Sequence, residues 1–203
     1  MTRDPQVQAK RDRADLMTAV VVAALAVAAL VYDSVARISA LFATPGAITV
    51  AAPFDAQTVT VDVGGGSTTA MITSGTLVVE DVSVISVVSL VAAIVTGSAG
   101  LIAAAVLASA VCRRLLRGHI FDRINVILTF WVSLSLLIGS LGAVWFQNMG
   151  LNGVLAATGG EFDGQAELML QAVPFFVAAM AAGVLVIVFR RGAELQRDAE
   201  GLV

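Results

Sequence analysis

Cys112-Arg113-Arg114-Leu115-Leu116-Arg117-Gly118-His119-Ile120-Phe121-Asp122-Arg123-Ile124-Asn125 is a short basic stretch between two long apolar runs. Its first half reads as a helix end. Arg113, Arg114 and Arg117 put positive charge beside the unsatisfied carbonyls of a helix C-terminus, where it is favoured. Gly118 stands where a left-handed C′ residue is wanted, because glycine has no Cβ to clash there. The second half reads as a helix start. Asp122 is a good N-cap, its carboxylate able to accept from the free N–H groups of the first turn. Phe121 and Val126 then fall at N′ and N4, the spacing of a hydrophobic staple. Asn125 falls at N3, as a weaker substitute for the Glu or Gln of a capping box. The stretch predicts a tight helical hairpin at a membrane surface, with its hinge over 113–124.

The flanking runs say which surface. Of 203 residues, 58% are hydrophobic and 13% are charged, and the mean hydropathy is +0.92. Soluble domains carry roughly 25% charged residues, so this chain lacks the polar surface of a soluble globule. A single multispan membrane domain fits the length. Spans are expected at about 16–42, 82–112, 125–147 and 168–190. The basic N-terminal residues followed by an apolar run resemble the start of a signal peptide. That run, however, outlasts the typical ~7–15-residue signal core, and no Ala-x-Ala site follows, so an uncleaved first span is expected. Lys and Arg cluster before residue 15, within 113–123 and after Phe189, with Arg37 alone elsewhere. The two remaining loops hold only acids: Asp55, Asp62, Glu80, Asp81, Glu161, Asp163 and Glu167. The positive-inside rule therefore places both termini and the hinge in the cytoplasm.

Residues 45–81 are different material, rich in Thr, Val, Gly and Ser. Runs such as Thr58-Val59-Thr60-Val61-Asp62-Val63 alternate at period two, and Gly64-Gly65-Gly66 and Ser74-Gly75 punctuate them, which predicts three or four short antiparallel strands. The fold class expected is an all-α membrane protein: a four-helix transmembrane bundle with a small β-rich extracytoplasmic loop between spans 1 and 2. A flexible or partly helical tail is expected up to Asp15. A second outer loop is expected over 147–167 and a short charged tail from Gly192. Pro174 is expected in or near the first turns of the fourth helix, where a missing N–H is tolerated.

Few residues offer chemistry. Asp33 and Arg37 are four apart, on one helical face, and form an intramembrane pair placed where the first span is ending. Ser133, Ser135, Gly139, Ser140 and Gly142 make a small, mildly polar stripe, read as a helix contact in which serines bond a neighbour or their own carbonyls. One cysteine excludes an intramolecular disulfide, one cysteine with one histidine effectively excludes a His/Cys metal centre, and no serine–histidine–acid set is expected around a single surface histidine. Glu161-Phe162-Asp163-Gly164 lacks the ligand spacing of a calcium loop. No cofactor or metal is expected. Arg113, Arg114, Arg117 and Arg123 are candidates for contact with anionic lipid headgroups, at about 1 kcal/mol per basic residue near the surface, or with a cytoplasmic protein. His119 is expected to be a solvated surface histidine, and Cys112 is an inert thiol or a palmitoylation position at the membrane edge.

Gly118-x-x-Phe121-Asp122-x-x-Asn125, placed after a basic second-span end and opening a third span, resembles the signature of a YoaS-like family, a bacterial four-span membrane domain. Span number and loop order agree over most of the chain, while residue-level agreement is confined to this motif. Ile120 stands where that family usually has a proline. No catalytic residues are established for the family, so the resemblance implies none here. It does imply a membrane partner for a small helix-turn-helix regulator, as some relatives are encoded beside one. The function expected is non-enzymatic, in the inner membrane, regulatory or accessory to a partner protein or complex, with no direct nucleic-acid binding. A small transporter or channel subunit is the alternative. A membrane enzyme using Asp55, Asp62, Glu80 and Asp81 ranks below both, since nothing in their spacing singles out an acid–base pair.

Overall fold

The computed structural model describes residues 5–160 and 165–200, with side chains at 5–12, 53–57, 63, 165–167 and 199–200 outside the description. The order of elements is α1 (Pro5–Leu41), β1 (Ala47–Val63), β2 (Gly66–Glu80), α2 (Val84–Leu116), α3 (Arg123–Ala157) and α4 (Gln165–Glu200). Each helix contains a segment long and apolar enough to cross a membrane: Arg13–Leu41, Val84–Leu116, Arg123–Ala157 and Leu168–Asp198. Helix already runs through residues 5–15, and α4 continues to Glu200, so both charged ends continue helices instead of forming tails. Pro174 is the tenth residue of α4 and lies inside it. Its ring therefore removes the N–H that would have reached the Leu170 carbonyl, a larger cost than the first-turn position expected for it.

The chain forms two compact units. One contains Ser34–Val95 and Gly142–Ala172, and its base is a two-stranded antiparallel hairpin. Gly64 and Gly65 sit at φ 62° and 88° between the pair Val63↔Gly66. Both central residues thus have the positive φ that a two-residue type I′ turn requires. The three or four short strands expected are segments of these two long strands. Ser74-Gly75 makes no turn, because Ser74 pairs with Pro53 and Gly75 with Ala52. The ladder is interrupted where Pro53↔Ser74 gives way to Gln57↔Ile72, leaving residues 54–56 opposite Thr73 alone. Proline has no N–H to give a ladder, and such breaks collect beside it.

An isolated two-stranded hairpin is marginal in water, and this one is held at its foot. The cross-strand pairs Ile48↔Val79 and Val50↔Leu77 turn one face into a cluster with Leu41, Leu90, Leu151, Val154 and Leu168. Leu151 and Val154 are fully buried, each contributing about 1.5–3 kcal/mol where water is the alternative. These two residues lie in a segment expected to be loop. Instead α3 runs on to Ala157 and ends in a Schellman motif, with Gly159 at φ 78°, Gly160 N–H donating to Leu155 O (2.9 Å) and Gly159 N–H to Ala156 O (3.1 Å). Gly150 and Gly153 provide clearance: a Cβ on Gly150 would strike Leu90, and one on Gly153 would strike Ser86. Ser83 caps α2, accepting from Ser86 N–H at 3.2 Å, while Ser86 and Ser89 are buried.

The other unit holds the chain through Asp33, Thr96–Leu141 and the chain from Val173. Within it α2 and α3 meet at two glycines. A Cβ on Gly100 would lie 2.6 Å from Gly139 Cα and 2.7 Å from Ser135 O. Apolar side chains gain little from each other when lipid tails are as apolar as they are, so close backbone approach at small residues is a main source of helix association in membranes. Ser133 Oγ donates to the Ala179 carbonyl of α4 at 2.8 Å. Ser135 and Ser140 donate to Trp131 O and Leu136 O of their own helix, each at 2.7 Å. The polar stripe on α3 is thus bonded to carbonyls, as the helix-contact reading expects.

Candidate functional site

The hinge between α2 and α3 is assembled from backbone rules first. Gly118 adopts φ 82°, His119 N–H donates to Arg114 O (3.1 Å) and Gly118 N–H to Leu115 O (3.0 Å). That is the 6→1 and 5→2 pair of a Schellman motif, and it satisfies carbonyls that the helix end leaves open. Space beside Gly118 is empty, so the position excludes other residues by its φ alone. Gly118→Val is expected to destabilise the protein by about 1–2 kcal/mol, the cost of a left-handed L-residue, with Gly118→Asn costing less. Thermal unfolding in detergent measures the difference.

Asp122 begins α3 as expected: its Oδ1 accepts from Ile124 N–H at 3.3 Å, and its backbone O accepts from Asn125 N–H at 3.0 Å. Its other carboxylate oxygen takes Arg114 Nη2 in an ion pair that ties the end of α2 to the start of α3. The Ile124 N–H and then the Arg114 guanidinium hold the Asp122 carboxyl below its ordinary value of 3.8, against the opposing effect of partial burial. A depressed carboxyl stabilises the folded state above its unfolded value, and this contribution disappears as pH falls through the folded value. The hinge should therefore keep its full stability at neutral pH and lose it only on acidification below 3.8. Asp122→Asn should flatten that acid limb of the unfolding profile.

Asn125 is placed differently from the capping-box expectation. It is wholly buried, and its amide reaches back across the turn, donating to His119 O at 2.6 Å and to Ile120 O at 3.0 Å. Its Oδ1 accepts from Arg114 Nε at 3.0 Å. One amide thus holds two turn carbonyls and the arginine of the preceding helix. The reason is positional: the carbonyls of a tight turn point inward with no helical partner, and buried polar groups must be bonded. Phe121 leaves the turn to meet α4, its ring edge-on to Phe189 with centroids 6.5 Å apart at 61°. A Cβ on Gly192 would collide with the Phe121 ring, so Gly192 is a further motif partner. Its only signal in the sequence is a glycine directly after Arg190-Arg191.

The arginines divide. Arg114 is half-buried and turned into the latch, whereas Arg113, Arg117 and Arg123 are exposed. Ile120, Phe121 and Ile124 stand beside them at 51%, 40% and 46% exposure. Position 192 contacts the Phe121 ring, so the exposed Arg191 adjoins the same end of the unit. This surface is cationic with an apolar centre.

No family model matches the chain, and neither does any curated protein or solved structure.

The other candidates lie elsewhere. Asp33 and Arg37 are one turn apart on α1, both exposed, and neither is without an interaction. Cys112 is a partly buried free thiol, and His119 is exposed. Among the described residues no group of three or more His, Cys, Asp or Glu is placed to hold a metal ion. Asp62, Glu80 and Asp81 are exposed on the hairpin and at its end. The side chains of Asp55 and Glu167 and the patch 161–164 lie outside the described residues.

Proposed function

We propose that this chain is a non-enzymatic, multi-pass protein of the bacterial inner membrane, with both termini and the hinge in the cytoplasm. In this reading it acts through contacts, regulatory or accessory to a partner protein. The observation that carries the reading is the division of labour in the hinge. Gly118, Asp122, Asn125 and Arg114 are consumed in holding the turn, which leaves Arg113, Arg117 and Arg123 around exposed Ile120, Phe121 and Ile124. Arginines suffice to orient spans and to meet anionic lipid. Exposed isoleucines flanked by arginines on a rigid turn, in contrast, suit protein docking, where apolar centres ringed by charge supply the binding energy. The resemblance of Gly118-x-x-Phe121-Asp122-x-x-Asn125 to the YoaS-like signature suggests a helix-turn-helix regulator as the partner, with the regulator and not this chain touching nucleic acid.

Double replacement Ile120→Asp/Ile124→Asp tests the docking, since it leaves every arginine and every latch residue in place. A photo-crosslinker replacing the exposed His119 side chain should trap one stoichiometric cytoplasmic partner in native membranes and lose it when the double replacement is added. Topology is read separately, in a Cys112→Ser background. A membrane-impermeant maleimide should label Ser67→Cys in intact spheroplasts and Glu194→Cys only after permeabilisation. Recovery of the protein without a partner under every solubilisation condition overturns the docking, and the reverse labelling pattern overturns the orientation.

A further inference from the structure

At the foot of the hairpin, within the unit that holds it, lies a cavity of about 530 Å³. This is the scale of small-molecule sites, which run to roughly 300–1,000 Å³. It takes no part in the hinge, and its walls indicate the chemistry of an occupant in two independent ways. The apolar side includes Phe42, Val84 and Val88, and it continues outward along α2. Val84, Val88 and Val95 are 77%, 60% and 50% exposed, and their i, i+4, i+11 spacing puts them on one face of the helix. A hydrocarbon chain leaving the cavity thus has an apolar track to follow. The polar side is supplied by Thr44 and Asp81. Asp81 is exposed and has no hydrogen bond or ion pair among the described residues. The sequence supplies no Lys or Arg between Arg37 and Arg113, and among the described residues no cation forms an ion pair with it.

We propose that the cavity binds a primary ammonium carried on a hydrocarbon chain, with the ammonium at the Asp81 carboxylate and the chain laid along Val84 and Val88. A carboxylate left without a counter-ion beside apolar walls favours a cation that brings its own apolar body. Two sources share this chemistry, an ethanolamine lipid headgroup and a free alkylamine.

The test uses the full chain in phosphatidylcholine/phosphatidylglycerol nanodiscs and a diazirine-bearing dodecylamine. Photolabelling is expected in peptides covering 42–48 and 79–88. Asp81→Asn should lower it about threefold to fivefold, the scale of an ion pair open to water. Asp81 sits at φ 57°, a region asparagine also tolerates, so the fold should survive the change. Val88→Trp should lower labelling as well, by filling the cavity without touching the charge, and it carries the comparison if Asp81→Asn fails to incorporate. Loss of labelling on adding phosphatidylethanolamine identifies the lipid source. Competition by dodecylamine alone identifies the free amine, and either result sustains the site. Equal labelling of wild type and both variants, or labelling by the matching dodecanol probe with equal strength and the same dependence on Asp81, overturns it.

Discussion

Gly100→Val is expected to produce one of the two largest losses of stability open to a single substitution in this chain. At 2.6 Å from Gly139 Cα and 2.7 Å from Ser135 O, even the first added carbon meets backbone on α3, and backbone cannot rotate away as a side-chain end can. The two helices must separate. Overpacking of a close-packed contact typically costs about 1–3 kcal/mol, and a branched side chain against backbone should reach the upper end. Gly139→Ala meets the same obstacle from the other side, with Gly100 Cα at 2.7 Å. The double variant Gly100→Ala/Gly139→Ala should therefore cost less than the sum of the singles, since one separation relieves both clashes. Gly183→Ala serves as the contrast, because its added carbon meets only Ser133 Oγ at 3.6 Å, an ordinary van der Waals contact. Unfolding of detergent-solubilised protein ranks these four together with the single Gly100→Ala that completes the cycle, and additive costs of Gly100→Ala and Gly139→Ala would sink the close-contact account.

Asn125→Ala is the second. Its removal strips hydrogen bonds from His119 O, Ile120 O and Arg114 Nε at once. Leaving bonded buried groups unsatisfied costs about 1–3 kcal/mol each at most, and water at the exposed turn will recover part of that, so a net loss of about 2 kcal/mol is expected. The distinguishing readout is local. Amide exchange over 117–124 should accelerate while exchange over the Gly100–Gly139 contact is unchanged, because local opening and global unfolding are separable. Asn125→Leu, of similar volume, should behave as Asn125→Ala does. If either variant leaves hinge exchange at the wild-type rate, Asn125 is not the latch.

These two residues also mark what could be read from the chain alone. Gly118 and Asp122 were legible because their tasks are local: a left-handed C′ and an N-cap are defined within a few residues of the helix ends they serve. Asn125 was legible as important but was assigned the wrong partner. The capping-box reading points its side chain back only as far as the Asp122 N–H, whereas its amide reaches further, to the His119 and Ile120 carbonyls and to Arg114, eleven residues earlier. Gly150 and Gly153 lie in the stretch 147–167 expected as an outer loop. Here each faces a specific side chain on α2, a reason that exists only once α2 and α3 lie side by side.

By itself the sequence determined four long apolar helices, a β-rich segment with a glycine turn at Gly64-Gly65 and a capped basic hinge, since each depends on periodicity, φ preference or charge within one short window. That the β-rich segment is two long strands and not three or four short ones was decided by the pairing. Only the tertiary structure decided that α3 continues to Ala157 and that Gly100 and Gly139 touch. The same holds for the place of Phe121 against Gly192 and for Arg114, which alone of the hinge arginines turns inward to Asp122 and Asn125. Each of these contacts joins residues eight or more positions apart, so its energy comes from the approach of separate elements; the small-residue stripe on α3 marks a helix contact at Gly139 but not its partner.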